Sequence, residues 1–276
     1  MSIERSAHQK IKITGTTRIQ LLIFRFLKSN CEQYEIKRTL GRGKYSDVFE
    51  GIDVVSNKLV VIKILKPVRK IKISREIRIL QVLQGGPHIV ELIDKCLDPA
   101  TGTPSLIFEY VSPTNLKQIM QSLSSDEIKS YMYQVLQALD FCHSRGIMHR
   151  DIKPMNIIVN RDQRCVKVID WGLSEFYHLD KELNTRVSSR PYKSPELLLG
   201  YPMYDFSMDI WSLGCMFAAI IFKKEHFFLG KDNNDQLVKI VSVLGSQDFF
   251  ALIQKYDIKL DTNDYPLYKK LLQKQI

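Results

Sequence analysis

The sequence has little that would suggest a membrane or secreted protein. The apolar run at residues 19–27 is interrupted by Gln20 and Arg25 and is too short to span a bilayer. No small-residue cleavage site accompanies it, which argues against a secretory signal. Internal repeats and low-complexity linkers are also absent from the sequence. We therefore expect a folded chain with no membrane partner.

Cysteines are few, and their spacing suggests neither a metal site nor a redox motif. The number is odd and the positions are scattered: Cys31, Cys96, Cys142, Cys165 and Cys215. Such usage favours a reducing compartment. We therefore expect the protein in the nucleus and cytoplasm.

Acidic residues are outnumbered by basic ones, 30 to 40, which gives a formal net charge of +10. A charge of this sign suggests an acidic partner, an acidic substrate or a nucleic acid. The length of 276 residues and the 45% hydrophobic content suffice for one large domain or two lobes.

Residues 1–33 differ from the rest of the chain, and we treat them as a divergent N-terminal extension. In the first 30 residues Glu4 is the only acidic residue, against six basic ones: Arg5, Lys10, Lys12, Arg18, Arg25 and Lys28. This composition weakly resembles a transit peptide. A helix packed on the following lobe is the simpler interpretation.

The most informative stretch is His149-Arg150-Asp151-Ile152-Lys153-Pro154-Met155-Asn156. Its spacing of aspartate and asparagine suits phosphoryl transfer, because that reaction needs positioning and charge stabilisation more than covalent chemistry. Asp151 would accept the proton of the attacking hydroxyl. Lys153 would lie near the transferring phosphate, and Asn156 would hold a magnesium ion. Alone, the stretch could also be a polar loop between a helix and a strand.

A glycine-containing turn stands earlier in the chain. A strand predicted at residues 34–40 leads into Gly41-Arg42-Gly43-Lys44-Tyr45-Ser46-Asp47-Val48. With Leu40, this segment would bind nucleotide phosphates, since two glycines let the backbone approach them closely. Ser46 stands where a third glycine is usual, and a hairpin turn without function would look similar.

Two charged residues suit the same chemistry. Lys63 ends the apolar pattern Val60-Val61-Ile62-Lys63, a position typical of a lysine that holds nucleotide phosphates. Glu76 follows in a helical pattern and would pair with Lys63. Without the neighbouring motifs, a surface lysine and a surface glutamate would be the simpler interpretation.

Three further motifs come after the Asp151 stretch. Asp170-Trp171-Gly172 supplies an aspartate that would bridge magnesium to the phosphates. Ser194-Pro195-Glu196 closes that segment. Asp209 opens an apolar helix, and we predict that its carboxylate braces the backbone of the stretch at residues 149–156.

The hydrophobic patterns predict an α+β fold with two lobes. Residues 34–110 would form a small lobe of five antiparallel strands, and residues 111–276 a mainly helical large lobe. Phe108-Glu109-Tyr110-Val111 is the predicted hinge, in which the backbone groups of Glu109 and Val111 would bind adenine.

Together these motifs have the order and spacing of protein kinases. Residues 41–51, 60–68, 142–154 and 170–178 closely resemble the casein kinase II catalytic alpha subunit family, in which a tryptophan at the position of Trp171 is characteristic. The resemblance implies the bilobal protein-kinase fold and a constitutively active serine/threonine kinase. It also implies the use of Mg2+ with ATP or GTP, acidic substrates and a regulatory beta subunit docked on the small lobe.

The resemblance also implies which basic residues read acidic side chains of the substrate: Arg69, Lys70, Lys72, Arg75, Arg186, Arg190 and Lys193. Polyanions would then inhibit by competing for this surface. Ile71 and Ser74 replace two lysines of the family. A solvated face, a nuclear-import signal or a nucleic-acid patch remain alternatives for the first run.

The sequence departs from the family in three places. Residues 1–33 lack its aromatic-rich N-terminal segment, and Pro191 replaces an aromatic residue. We also expect the final large-lobe helices to be missing, and with them the arginine that would pair with Glu196. The alternative function is therefore a catalytically weak, truncated kinase-like subunit that acts as a binding or decoy module. A milder alternative is a related kinase with another specificity.

Overall fold

The computed structural model describes residues 29–67, 70–98 and 100–258. They belong to two compact units, which we describe separately. The first unit comprises the described residues up to Arg75 together with Leu92–Glu109, and the second comprises Glu76–Glu91 and the described residues from Tyr110 onward. The predictions made for residues 1–28, for Arg69 and for residues 259–276 lie outside the described residues.

The first unit is built on a six-stranded sheet. Its strands are β1 (Ser29–Asn30), β2 (Tyr34–Arg42), β3 (Ser46–Asp53), β4 (Lys58–Leu65), β5 (Leu92–Leu97) and β6 (Pro104–Glu109). Their order is β1-β5-β6-β4-β3-β2. All neighbouring pairs are antiparallel except β1 with β5, which run parallel. The prediction of five antiparallel strands is confirmed for β2 to β6 but was incomplete, because it lacked β1.

The core of this sheet follows from alternation along the strands. On β4, Val60 and Ile62 are buried and the intervening Val61 is only half-buried. They pack with Ile107 of β6 and Cys96 of β5 in one apolar cluster. Branched side chains favour such a pleated, half-covered surface, which explains why this part of the sequence forms strands.

A disulfide joins Cys31 to Cys96. Cys31 follows β1 directly, and the register of β1 on β5 places Ser29 opposite Cys96. The two cysteines are 65 residues apart in the sequence, so local spacing could not reveal the pair. The bond departs from the expectation of a reducing compartment, because disulfides persist mainly in oxidising ones.

Helix α1 (Lys70–Val82) follows β4, and the second unit contains the remaining helices. These are α2 (Leu116–Ile119), α3 (Ser125–His143), α4 (Pro195–Leu198), α5 (Ser207–Ile221), α6 (Asn233–Leu244) and α7 (Gln247–Lys255). Two small antiparallel ribbons accompany them. One pairs β7 (Ile147–Met148) with β10 (Glu175–Phe176), and the other pairs β8 (Ile157–Asn160) with β9 (Cys165–Val168).

Helix α3 carries the chain to the predicted catalytic stretch. It begins with a capping box, in which the Ser124 hydroxyl accepts from the Glu127 backbone and the Glu127 carboxylate accepts from Ser124. Arg161 also bonds Glu127, and this contact lowers the pKa of the carboxyl to about 2. The face of α3 turned inward is buried: Tyr131, Met132, Val135, Ala138, Leu139 and Cys142.

The apolar packing of the second unit includes a cluster of buried side chains from β7, α4, α5 and the segments that connect them: Met148, Leu183, Val187, Leu197, Tyr204 and Met208. It packs the segment of residues 183–187 against β7, α4 and the start of α5. None of the helices in the described ranges is long and apolar enough to cross a membrane.

Candidate active site

Residues 149–156 form a largely buried loop between β7 and β8, which we call the catalytic loop. One carboxylate fixes its start. The backbone N–H groups of His149 and Arg150 each donate to Asp209, to Oδ2 and Oδ1 respectively, over 2.8 Å. His143 Nε2 lies 2.9 Å from Oδ2 of the same carboxylate. The predicted bracing role of Asp209 at the start of α5 is therefore what the structure shows.

Arg150 anchors the loop in an unusual backbone conformation, with a φ of 68°. Its guanidinium donates to the Leu173 carbonyl over 2.7 Å and to the Tyr204 hydroxyl over 2.8 Å. It also lies 3.7 Å from Glu175. A left-handed backbone costs about 1 kcal/mol or more in a residue with a side chain. These contacts offset that cost and hold the next residue, Asp151, in place.

Three side chains surround the buried Asp151 carboxylate. Lys153 Nζ donates to Oδ2 over 2.6 Å, and Asn156 Nδ2 lies 3.2 Å from the same oxygen. The Ser189 hydroxyl donates to Oδ1 over 3.1 Å. Asn156 also donates to the Asp151 carbonyl over 2.8 Å. The geometry therefore brings together Asp151, Lys153 and Asn156, the three residues predicted from the loop sequence.

Ser189 is a member of this site that sequence reasoning missed. Its hydroxyl also accepts from Lys153 Nζ over 3.2 Å, so it links the lysine to the aspartate. A serine in the long segment between Asp170 and Glu196 carries no distinctive local pattern. Only the fold brings it to Asp151.

His149 fixes the other side of the loop. Its Nδ1 accepts from the Asp151 backbone N–H over 3.2 Å, and its Nε2 donates to the Ile169 carbonyl over 3.0 Å. Trp171, which is buried, meets the imidazole edge to face at 4.7 Å between ring centroids. The histidine therefore couples the position of Asp151 to that of the segment containing Asp170.

The two predicted metal ligands lie on neighbouring backbone segments. The Ile169 N–H donates to the Asn156 carbonyl over 2.9 Å, and Asp170 is the next residue in the chain. Asp170 has a φ of 62°. A Cβ placed on Gly172 would lie 3.4 Å from Asp170 Oδ1 and 3.3 Å from Glu76 Oε2. The glycine thus leaves room for carboxylates on both sides.

A comparison with family models agrees with this geometry. The model described as the protein kinase domain matches residues 34–275. The chain belongs to the protein kinase family. It therefore has the kinase fold, with an antiparallel β-sheet N-lobe and a helical C-lobe, and it is a phosphotransferase that acts on proteins. Kinases of this family use ATP and a divalent metal ion.

The donor set suits a hard divalent cation. Asn156 and Asp170 offer amide and carboxylate oxygens, and Mg2+ typically takes one or two carboxylates together with substrate phosphates. Within residues 29–67, 70–98 and 100–258, no cluster of three or more His, Cys, Asp or Glu side chains could hold a metal ion.

In the first unit, the predicted nucleotide loop is the turn between β2 and β3. The Gly43 N–H donates to the Ser46 carbonyl over 2.8 Å, and Lys66 Nζ donates to the Gly43 carbonyl over 2.8 Å. Lys66 also lies 2.9 Å from Asp47. The other residues predicted for this loop lie in the same turn or on its two strands: Leu40, Gly41, Arg42, Lys44, Tyr45 and Val48.

The remaining predicted nucleotide residues are spread over both units. Lys63 is buried on β4 and Glu76 is buried on α1. Their predicted pairing stays a prediction. Glu109 ends β6, opposite Val60 of β4, and Val111 comes two residues later in the second unit.

Among the predicted substrate-binding residues that follow β4, Lys72 is the one whose side-chain contacts the structure describes. Its Nζ lies 5.4 Å from the centroid of the Tyr45 ring, and Lys44 Nζ approaches the same ring at 5.4 Å. Arg75 also lies on α1. For Lys70 the structure describes the backbone alone. The first unit therefore presents two ammonium groups around one exposed aromatic ring.

Among the predicted substrate-binding residues between Asp170 and Glu196, Arg190 and Lys193 make hydrogen bonds within the protein. The Arg190 guanidinium donates to the Lys231 carbonyl over 2.7 Å, and Lys193 Nζ donates to the Thr185 carbonyl over 3.4 Å. Burial, and the charge of Arg190, lower the pKa of Lys193. Arg186 is exposed. These residues thus differ in how readily they could meet an acidic substrate.

Glu196 at α4 is buried, and burial raises the pKa of its carboxyl. In the described part of the chain, no lysine or arginine forms an ion pair with it. The buried Glu196 carboxyl therefore lowers the stability of the second unit, because no opposite charge among the described residues offsets its loss of hydration.

Proposed function

We propose that this kinase transfers the nucleotide gamma-phosphate to serine or threonine in acidic sequence contexts, as casein kinase II catalytic subunits do. The observation that carries the proposal is the buried Asp151 carboxylate, held by Lys153, Ser189 and Asn156. A positioned carboxylate can accept a hydroxyl proton as the phosphoryl group transfers.

In this mechanism the residues of the chain position the reacting groups and stabilise the charge that develops on them. Asp151 orients the acceptor hydroxyl and takes its proton. Lys153, which already bonds Asp151 Oδ2, carries a positive charge beside the transferring group. Magnesium-bound ATP or GTP supplies the phosphoryl group, and Asn156 and Asp170 would hold the metal. Lys63 would bind the phosphates, with Glu76 as its partner.

The proposed preference for acidic substrates rests on positively charged side chains. Lys72 and Lys44 crowd around Tyr45 in the first unit, and Arg186 is exposed in the second. Several cations of this kind could raise the capture of acidic peptides by about 10-fold, and salt would weaken that effect. Polyanions are proposed to inhibit by binding the same residues.

Two further proposals concern partners and location. Exposed apolar side chains on the first unit, among them Ile36, Val55 and Leu59, would suit a regulatory beta subunit. We propose an N-terminal extension at residues 1–33, a small lobe at residues 34–110 and a large lobe at residues 111–276.

We also propose a location in the nucleus and cytoplasm. The Cys31–Cys96 disulfide argues against this location, because disulfides persist mainly in oxidising compartments. Imaging of the tagged full chain tests the location.

The alternative is a kinase-like binding or decoy module with little activity. Glu196 favours it, because a buried carboxyl without a basic partner among the described residues weakens the folded state. A single assay separates the two functions. The full chain and its Asp151→Asn and Lys63→Met variants are supplied with magnesium, ATP and serine, threonine or tyrosine peptides in acidic or neutral contexts.

The proposed function expects turnover of acidic serine and threonine peptides and its loss, by several orders of magnitude, in both variants. Equal turnover of acidic and neutral peptides would refute the acidic preference. Absence of turnover in a folded wild-type chain would favour the binding module.

Replacement of Arg69, Lys70 and Lys72 by alanine should raise the KM for acidic peptides and change the turnover number less.

A further inference from the structure

Helix α5 has an apolar face that the rest of the described chain leaves open to solvent. The exposed residues of the helix are Ser207, Ile210, Gly214, Phe217 and Ile221. They recur at alternating intervals of three and four residues, so they lie in one line along the helix, as the a and d positions of a coiled coil do. We call the last four of them the α5 seam. At 1.5 Å per residue the seam is about 17 Å long.

The seam has the composition of an interface rather than of a solvated helix face. Between residues 207 and 221 the only charged side chain is that of Asp209, which is buried. Ile210, Phe217 and Ile221 remain 46%, 44% and 49% exposed. The exposed face of α3, by contrast, carries both acidic and basic side chains, as solvated helix faces usually do. An uncharged face of this kind indicates that another surface covers it.

Gly214 forms a hole in the middle of the seam. A Cβ placed on it would meet nothing within 4 Å in the described part of the chain, apart from the backbone of its own helix. Packing within the described chain therefore does not require a glycine here. Glycine is also among the least favourable residues in a helix interior. The close approach of an outside surface would explain why this residue has no side chain.

The seam is complementary to itself when a second copy is turned antiparallel. If Gly214 faces Phe217 of the second copy, then Phe217 faces Gly214 of the second copy, as a two-fold interface requires. The same register sets Ile210 opposite Ile221 at both ends, because the two pairs of positions share one midpoint. A phenylalanine knob thus enters a glycine hole twice, and isoleucines pack against each other on both sides.

Charges beyond the ends of the seam favour the same orientation. Asp205 precedes α5, and the exposed Lys223 and Lys224 follow it. In an antiparallel pair, the aspartate of one copy lies at the same end as the two lysines of the other, whereas a parallel pair would bring like charges together. Antiparallel helices also place the positive end of one dipole beside the negative end of the other.

We propose that the α5 seam binds a second copy of this chain in an antiparallel, two-fold symmetric dimer. The partner is the same protein because the seam supplies both the knob and the hole that the other copy needs. Three half-exposed side chains per copy bury less than the roughly 800 Å² per partner of a standard interface, so the dimer is weak and reversible. The seam contains no residue of the catalytic loop, and the inference does not depend on the proposed function.

Sedimentation equilibrium of the full chain, from roughly 1 to roughly 100 µM, tests the proposal. We expect the wild type to dimerise as its concentration rises. Ile210→Lys and Ile221→Glu should each raise the Kd by about 10-fold or more, because each buries an unpaired charge in the interface. The double variant should restore dimerisation, since each lysine then faces a glutamate of the second copy. Only an antiparallel register predicts this rescue.

Gly214→Gln separates dimerisation from fold stability. Glutamine is a better helix former than glycine, so the variant should unfold at the same urea concentration as wild type or a higher one. Its side chain fills the hole, so the Kd should rise by about 10-fold. The matched control is Leu136→Lys, because Leu136 is 44% exposed on another helix, α3. This control should leave the Kd unchanged.

Three results would overturn the proposal. The first is a wild-type chain that stays monomeric up to roughly 100 µM, which would leave the seam to residues 259–276 or to another protein. The second is dimerisation that survives both single substitutions. The third is a double variant that remains folded and does not recover dimerisation.

Discussion

The hydroxyl of Ser189 donates to Oδ1 of Asp151 over 3.1 Å and accepts from Lys153 Nζ over 3.2 Å. This contact ties the segment after Asp170 to the catalytic loop. It restrains the aspartate and the lysine at once, since each of them bonds the same oxygen of Ser189.

Replacing Ser189 by alanine should therefore lower the turnover number by about 10-fold, because Asp151 and Lys153 lose a common anchor and misplacement of catalytic groups is costly. Steady-state kinetics with an acidic serine peptide measure the effect. Ser189→Thr keeps a hydroxyl and should retain most of the activity.

The matched control is Ser188→Ala. The Ser188 hydroxyl is buried and has no hydrogen-bond partner in the described part of the chain, so its removal should leave turnover nearly unchanged. Equal losses in Ser188→Ala and Ser189→Ala would show that the segment is merely sensitive to substitution.

Asp209 is fully buried and accepts hydrogen bonds from two backbone N–H groups of the catalytic loop. In Asp209→Asn one side-chain oxygen becomes an NH2 group, which faces a donor and leaves it unsatisfied. We expect a loss of about 2 kcal/mol or more in the free energy of unfolding. Urea titration measures it, and Asp205→Asn, near the surface before the same helix, should cost much less.

Glu196 predicts a pH dependence of stability. Burial raises the pKa of its carboxyl from the ordinary 4.5. In the window above 4.5 the folded state binds more protons than the unfolded state, so stability falls as pH rises through that window. Glu196→Gln removes the decline and should stabilise the protein at neutral pH by about 1 kcal/mol.

Urea unfolding at roughly pH 4 and roughly pH 7.5 tests this, because the two proteins should differ mainly at the higher pH. Glu225→Gln is the control. Its side chain is exposed, and Lys117 lowers the pKa of the carboxyl, so its removal should give no gain at neutral pH. A Glu196→Gln variant that is no more stable than wild type at neutral pH would contradict the prediction.

Much of the fold and of the catalytic loop could be predicted because the signals are local. Strands β2 to β6, helix α3 and the group of Asp151, Lys153 and Asn156 follow from alternation, helical periodicity and fixed spacing. The bracing role of Asp209 followed from the motif at the start of its helix.

Long-range contacts account for the features that could not be predicted. Ser189 meets Asp151 across 38 residues, and His88 meets Cys165 across 77, distances over which sequence patterns carry no contact information. The partners of basic side chains show a second limit. Arg190 was predicted to read acidic side chains of the substrate, and this stays a prediction. Its hydrogen bond to the Lys231 carbonyl could not be read from the sequence, because charge alone does not fix a side chain's partner.

The Cys31–Cys96 disulfide closes a loop across 65 residues that includes β2 to β4 and α1. Closing a loop of this length in the unfolded chain is worth about 4 kcal/mol in the chain-entropy account. We expect a reductant, or Cys31→Ser, to lower the stability of the first unit by up to about that amount. Because the bond also holds β1 beside β5, the amides of β1 should exchange faster with solvent after reduction. Hydrogen exchange under reducing and non-reducing conditions measures both effects, and a reductant should have no further effect on Cys31→Ser. If reduction changed neither stability nor exchange, the bond would contribute nothing to the first unit.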